Sequence, residues 1–150
     1  MREILFRGKR TDNGEWVYGQ LLLFKSSVGE KHFALIVESC EWDNNNEWFN
    51  LCKRAKVIPE TVGQYTGLTD KNGKKIFEGD ILKITDKYNN SVIWFVEYKN
   101  GGFMLRQQDV IFYTYFGDFS PKHYYCEIIG NIHNNPELIE SGCDNDRIHK

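Results

Sequence analysis

The sequence predicts an all-β protein of two small, hairpin-rich subdomains, and three observations support that class. Asn-Gly occurs as Asn13-Gly14, Asn72-Gly73 and Asn100-Gly101, and both residue types tolerate the positive φ that tight hairpin turns require. The run Val92-Ile93-Trp94-Phe95-Val96 is apolar at every position and rich in β-branched and aromatic side chains. It is too short for a typical helix and suits a strand buried on both faces. No window of about 12 residues keeps apolar groups at i, i+3, i+4 and i+7 without a glycine or an Asn-rich break, so long helices are not expected.

Taken in order, Ile4-Leu5-Phe6 reads as a first strand. Beyond the first Asn-Gly turn, Trp16-Val17-Tyr18 opens a second strand that runs on to Phe24. Val62 to Leu68 and Ile76-Phe77 flank the second turn, and Ile81 to Ile84 follows. Tyr88-Asn89-Asn90-Ser91 is a fourth turn, leading into Val92 to Tyr98. The third Asn-Gly turn then joins that strand to Phe103-Met104-Leu105. One short helix is expected near the end, with Asn135 as N-cap, Pro136 at the first helical position and Glu137 in the first turn. The polar segment 141–150 should fray. Asp43-Asn44-Asn45-Asn46 reads as a solvated loop, and the stretch Arg54 to Thr61, containing Pro59, marks a change of composition. The expected division is an N-terminal β subdomain at 1–55 and a C-terminal, barrel-like one at 56–150. Small units bury proportionally little surface, so the two are expected to pack together.

Aromatic residues make up 15% of the 150-residue chain, enough bulky side chains to build a core from a short sequence. The net charge of −2 excludes a global field that would gather nucleic acid. The charge is uneven, however, since residues 53–87 hold eight basic and five acidic side chains. Met1 to Arg10 has no apolar run of signal-peptide length, and Leu21 to Phe24 falls far short of a membrane span. A soluble protein of the cytoplasm, with no membrane partner, is therefore expected. Cys40, Cys52, Cys126 and Cys143 form no Cys-x-x-Cys pair, and His32 does not complete a defensible zinc pattern. In a reducing compartment they read as small apolar filler, and neither a metal nor any other cofactor is expected.

Phe6-Arg7-Gly8-Lys9-Arg10, with Asn13-Gly14-Glu15-Trp16-Val17-Tyr18-Gly19 after it, resembles the opening of the YopX family of bacteriophage and prophage proteins. Val57 to Leu68 and Asp70 to Ile81 resemble that family's central motif, and Ile128 to His133 with Asn135 to Leu138 resembles its ending. The loop at Glu41 to Asn46 and the aromatic stretch Phe112 to Phe119 lie outside these motifs. The resemblance implies an all-β, phage-encoded protein of the bacterial cytoplasm. It carries over no catalytic residues.

Candidate sites are few. Glu78-Gly79-Asp80 would set two carboxylates on one face of a continuous strand, a pairing that can do acid–base work. Without a neighbouring nucleophile it reads better as a bend at Gly79, with Asp80 accepting backbone N–H groups where a strand begins, as in small SH3-like barrels. The second subdomain accordingly resembles such a barrel. His32, His123, His133 and His149 are dispersed and fit no metal or triad spacing. Lys71, Lys74 and Lys75 cluster at one hairpin tip with Tyr65 nearby, which is the grammar of a single-strand-binding groove and equally of a solvated, aggregation-resistant turn. Tyr113, Tyr115 and Phe116 form an alternating aromatic stretch that reads as an interaction surface or as core. The expected function is that of a non-enzymatic phage or prophage accessory acting by protein contact or self-assembly. Nucleic-acid binding by a small β-barrel and an enzyme with an unrecognised site are the alternatives.

Overall fold

The computed structural model describes residues 1–25, 32–43, 48–107, 113–116 and 124–140, with backbone alone at 42–43, 48–52, 113, 115, 124 and 139–140. It is all-β, with two antiparallel sheets, and the chain divides into two compact units, Met1–Tyr65 and Thr66–Lys150.

In the first unit β1 (Phe6–Lys9) pairs with β2 (Trp16–Lys25) across the Asn13-Gly14 turn, where Gly14 has a φ of 73°. β2 then pairs with β3 (His32–Asp43), and β3 with β4 (Trp48–Val57). The sheet curls until the end of β4 meets the end of β1. Arg10 and Val57 form a bridge, Ile58 N–H donates to the Lys9 carbonyl (2.8 Å), and Thr11 N–H donates to that of Lys56 (3.0 Å). A 3₁₀ turn at Pro59–Thr61 leads to β5 (Gly63–Thr69), whose first residues add to the free side of β1. Thr61 is the pin of this return, since its hydroxyl donates to the Ile58 carbonyl (2.7 Å) and accepts from Lys9 N–H (2.9 Å). Inside the curl lie Val17, Ala34, Ile36, Ala55 and Val57, with Phe6, Leu21 and Val62 packed around them. These bonds explain why the division falls between Tyr65 and Thr66, later than the 55/56 boundary read from composition. The 3₁₀ turn and the start of β5 are tied to β1 by backbone hydrogen bonds, including Tyr65 N–H to Leu5 carbonyl (2.8 Å).

The second unit contains the remainder of β5, then β6 (Lys75–Phe77), β7 (Asp80–Asp86), β8 (Ser91–Lys99), β9 (Gly102–Gln107), β10 (Tyr113–Tyr115) and β11 (Tyr124–Asn131). Strands β7 to β10 form a meander, and β11 returns to pair with β7, giving the order β10-β9-β8-β7-β11. The expected barrel is not closed among the described residues, because no ladder joins β10 to β11. Asn100-Gly101 makes the tight β8–β9 turn with both residues at positive φ (54° and 80°). Val92–Val96 lies in β8, and Trp94, Phe95 and Val96 are all buried in succession, as a strand covered on both faces requires. Trp94 and Val96 join Ile76, Leu82, Ile84, Leu105 and Phe116 in the core.

A single helical turn, α1 (Glu137–Glu140), follows Pro136. Asn135 does not cap it through the side chain, contrary to expectation. Its Oδ1 instead accepts from Asn131 N–H (3.3 Å), its Nδ2 donates to Glu137 (3.0 Å), and its backbone carbonyl takes Leu138 N–H (3.1 Å). The side chain is held back over Gly130, which has no Cβ to obstruct it.

Candidate binding face

The lysine-rich hairpin tip is built into the second unit's own framework. Asp70, 7% exposed, accepts from the backbone N–H groups of Asn72 (2.8 Å) and Lys74 (2.9 Å) through one oxygen, and from that of Ile128 (3.3 Å) through the other. Lys71 N–H donates to the Cys126 carbonyl (2.8 Å), and Lys71 Nζ pairs with Glu127 (2.6 Å). The tip is thereby docked along the outer edge of β11, an edge that would otherwise present unpaired backbone groups. Burial pushes the Asp70 carboxyl up, but the N–H groups of Lys74, Asn72 and Ile128 outweigh it and hold the group below the usual range. Lys74 is exposed and Lys75 half-buried, whereas Tyr65 is only 8% exposed and so offers little ring to a base. Of the aromatic stretch, Phe116 is 5% exposed and belongs to the core, so it is no part of a surface. The side chains of Tyr113 and Tyr115 lie outside the described residues.

Glu78 and Asp80 do not stand side by side on a strand. Gly79 between them has a φ of 84°, which breaks the alternation, and its backbone is fixed by bonds to the Val96 carbonyl (2.8 Å) and from Ile132 N–H (2.9 Å). Asp80, 1% exposed, accepts from Phe77 N–H (2.8 Å) at the start of β7, the structural role read from the sequence. No group of three or more His, Cys, Asp or Glu side chains that could hold a metal ion occurs among the described residues.

The feature that sequence reading passed over is the outer face of β1–β4. Residues opposite each other in an antiparallel ladder share a face, as do residues two apart in a strand. The registers Lys9↔Trp16 and Arg7↔Tyr18 therefore place these four side chains on one surface. Leu22↔Leu35, Phe24↔Phe33, Gln20↔Val37, Val37↔Arg54 and Leu35↔Lys56 extend it. The opposite face carries Val17, Ala34, Ile36, Ala55 and Val57 into the core. On the outer face cations and rings interleave. The Arg7 guanidinium carbon lies 4.7 Å from the Trp16 ring centre, Lys9 Nζ 5.6 Å from the same ring, and Lys56 Nζ 4.7 Å from that of Phe33. Such pairs contribute about 0.5–1 kcal/mol each where exposed and more where desolvated. Arg7 is only 7% exposed and serves as a support beneath Trp16, while Tyr18 (47%), Phe24 (48%), Phe33, Arg54 and Lys56 face solvent. The alternation Trp16-x-Tyr18-x-Gln20-x-Leu22-x-Phe24 was visible in the sequence. What brought Arg54 and Lys56 beside it was the register.

Two free cysteines lie among residues with described side chains. Cys40 is exposed and Cys126 half-buried. Burial first, then the carboxylates of Asp70 and Asp80, pushes the Cys126 thiol up to about 12. At pH 8 its thiolate fraction is then on the order of 10⁻⁴. Brief alkylation of native protein, read by peptide mass mapping, is expected to modify Cys40 and spare Cys126. Equal labelling of the two would contradict the burial of Cys126.

Two antiparallel sheets, one of them a curled sheet with an aromatic and basic outer face, define an all-β protein. The profile described as YopX protein matches residues 5–140, and the chain belongs to the YopX family. It is similar to the crystal structure of protein EF1440 from Enterococcus faecalis, with 26% identity and a TM-score of 0.59 over 93% of this chain and 100% of that one. It is also similar in fold to the crystal structure of protein yopX from Bacillus subtilis, with 19% identity and a TM-score of 0.52 over the same shares. No match was found among curated proteins. No helix among the described residues is long and apolar enough to cross a membrane.

Proposed function

We propose that this chain is a non-enzymatic accessory protein of a phage or prophage, working in the bacterial cytoplasm by macromolecular contact through the outer face of β1–β4. The second unit serves as a scaffold of SH3-like type, a reading supported by the meander β7–β10 with β11 returning beside β7. The observation that carries the proposal is the exposure of Tyr18, Phe24 and Phe33 on a single face already lined by Lys56 and Arg54. Large rings grouped on an open surface are more often binding anchors than accidents of folding. Hydroxyl-radical footprinting of the purified chain, with and without extract of a bacterial host, tests it. Protection is expected at Trp16, Tyr18, Phe24 and Phe33. Protection confined to Tyr98 and Phe103, which meet edge-to-face at 5.3 Å in the other unit, would assign the contact elsewhere.

A further inference from the structure

Over residues 1–65 basic and acidic side chains balance, nine of each. The outer face of β1–β4 departs from that balance. Arg7, Lys9, Arg54 and Lys56 stand at positions the ladders assign to it, and in the regular stretch from Lys9↔Trp16 to Val37↔Arg54, before the β3–β4 register shifts, no Asp or Glu does. We infer that this face binds single-stranded nucleic acid, with Tyr18 and Phe24 stacking on bases and Lys9, Arg54 and Lys56 meeting phosphates. This rests on the contact reading of the same face and names its partner.

Three features favour a nucleic-acid strand over a protein. Lysine is depleted from the centres of protein interfaces, because an ammonium loses its water there without gaining a counter-charge. Here Lys56 stands over Phe33 and Lys9 beside Trp16, each cation against a ring of the same surface. A phosphate chain supplies that counter-charge at every residue, and each base supplies a flat face for a ring. Cation and ring also alternate at strand spacing, with Arg7 and Lys9 opposite Tyr18 and Trp16, and Lys56 diagonal to Phe33. That is how a backbone-and-base ligand presents its own two chemistries. Finally, Tyr18, Phe24 and Phe33 stand exposed on the sheet, so they can take base faces only where these are already unstacked. A duplex hides those faces, whereas a single strand offers them.

The experiment is fluorescence anisotropy with labelled oligo-dT and oligo-rU of about 16 nucleotides, spanning the site sizes of small β folds. Three phosphate contacts predict a slope of log K against log salt of about −2, so affinity should fall roughly fifteenfold between about 50 and 200 mM salt. Tyr18→Ala and Phe24→Ala should each weaken binding at least about tenfold with an unchanged circular dichroism spectrum. Lys56→Gln should reduce the slope by about 0.7. A duplex of equal length should bind more weakly than either strand. Preference for the RNA or the DNA strand identifies which source the face serves, and either preference supports the inference. It is overturned if neither strand binds at low salt, or if the duplex binds as well as the single strands. Loss of binding in Lys71→Gln/Lys74→Gln with no effect of Tyr18→Ala also overturns it, by moving the site to the hairpin tip. Footprinting in nuclease-treated extract separates this from the contact reading. If Tyr18 and Phe24 stay protected after nuclease, the partner is protein, so the nucleic-acid inference fails and the contact reading stands. If they are never protected, both fail.

Discussion

Gly19→Ala is expected to destabilise the first unit by about 3 kcal/mol or more, enough to unfold a small β unit of ordinary margin. Gly19 sits where β2 stops pairing with β1 and starts pairing with β3. Its partner is Phe6, and the next residue, Gln20, is already opposite Val37. A Cβ at this position would be driven into the Val37 carbonyl group, 2.6 Å from its carbon and closer still to its oxygen. The obstruction is backbone in a hydrogen-bonded strand, so no side-chain rotation relieves it. Gly14→Ala provides the contrast. Its φ of 73° strains any side chain, but a Cβ there meets nothing within 4 Å, so a loss of only about 1–2 kcal/mol is expected. Urea unfolding followed by circular dichroism measures both. A Gly19→Ala midpoint equal to that of the parent chain would mean that β3 does not cross β2 as described.

The second large effect is expected at Asp70. Asp70→Ala strips the acceptor from three backbone N–H groups and releases the hairpin tip from β11. An N–H bonded to a carboxylate loses more than one bonded to a neutral oxygen. Water can still reach the exposed turn residues, so a total near 3 kcal/mol is expected, or a fall in melting temperature of roughly 6–12 °C. The sign of the pH dependence follows from the lowered carboxyl. Asp70 is held below its unfolded value, so its stabilisation is present above about pH 4 and is lost as the pH falls through the folded value. Asp12, paired with Arg10 and lowered to about 2, and Asp86, bonded by Asn90 and Tyr88, act in the same direction. Both are open to solvent, and screening leaves them a smaller share. The acid limb of the stability curve should therefore be shallower in Asp70→Ala than in the parent. Asp70→Asn, which keeps an acceptor oxygen without the charge, should lose less stability and show the same flattened limb. An unchanged acid limb in both variants would show that Asp70 is not the group holding the tip.

Much of the architecture was legible because its determinants are local. Asn100-Gly101 takes the doubly positive φ that its composition favours, while Asn13-Gly14 and Asn72-Gly73 turn with the glycine alone in that region. Val92–Val96 announced a strand buried on both faces, and Glu78-Gly79-Asp80 announced the bend and the capping carboxylate. Where the sequence left two readings open, partners distant in the chain set the surroundings of each residue. Lys71 meets Glu127 only because β11 returns beside the tip, and the fold leaves Tyr65 8% exposed. Phe116, readable as surface or as core, lies in the core.

By itself, then, the chain determined where it turns, which segments extend, and which family it resembles, since turn chemistry and two-residue alternation act between neighbours. Tertiary structure alone decided which cations and rings became one surface. Arg54 and Lys56 join the face that carries Phe33, Phe24 and Gln20 only through ladder registers linking residues many positions apart. A shift of one residue in any of those registers would turn that strand's outward side chains into the core. The face is therefore a property of strand pairing, and no single stretch of the sequence contains it.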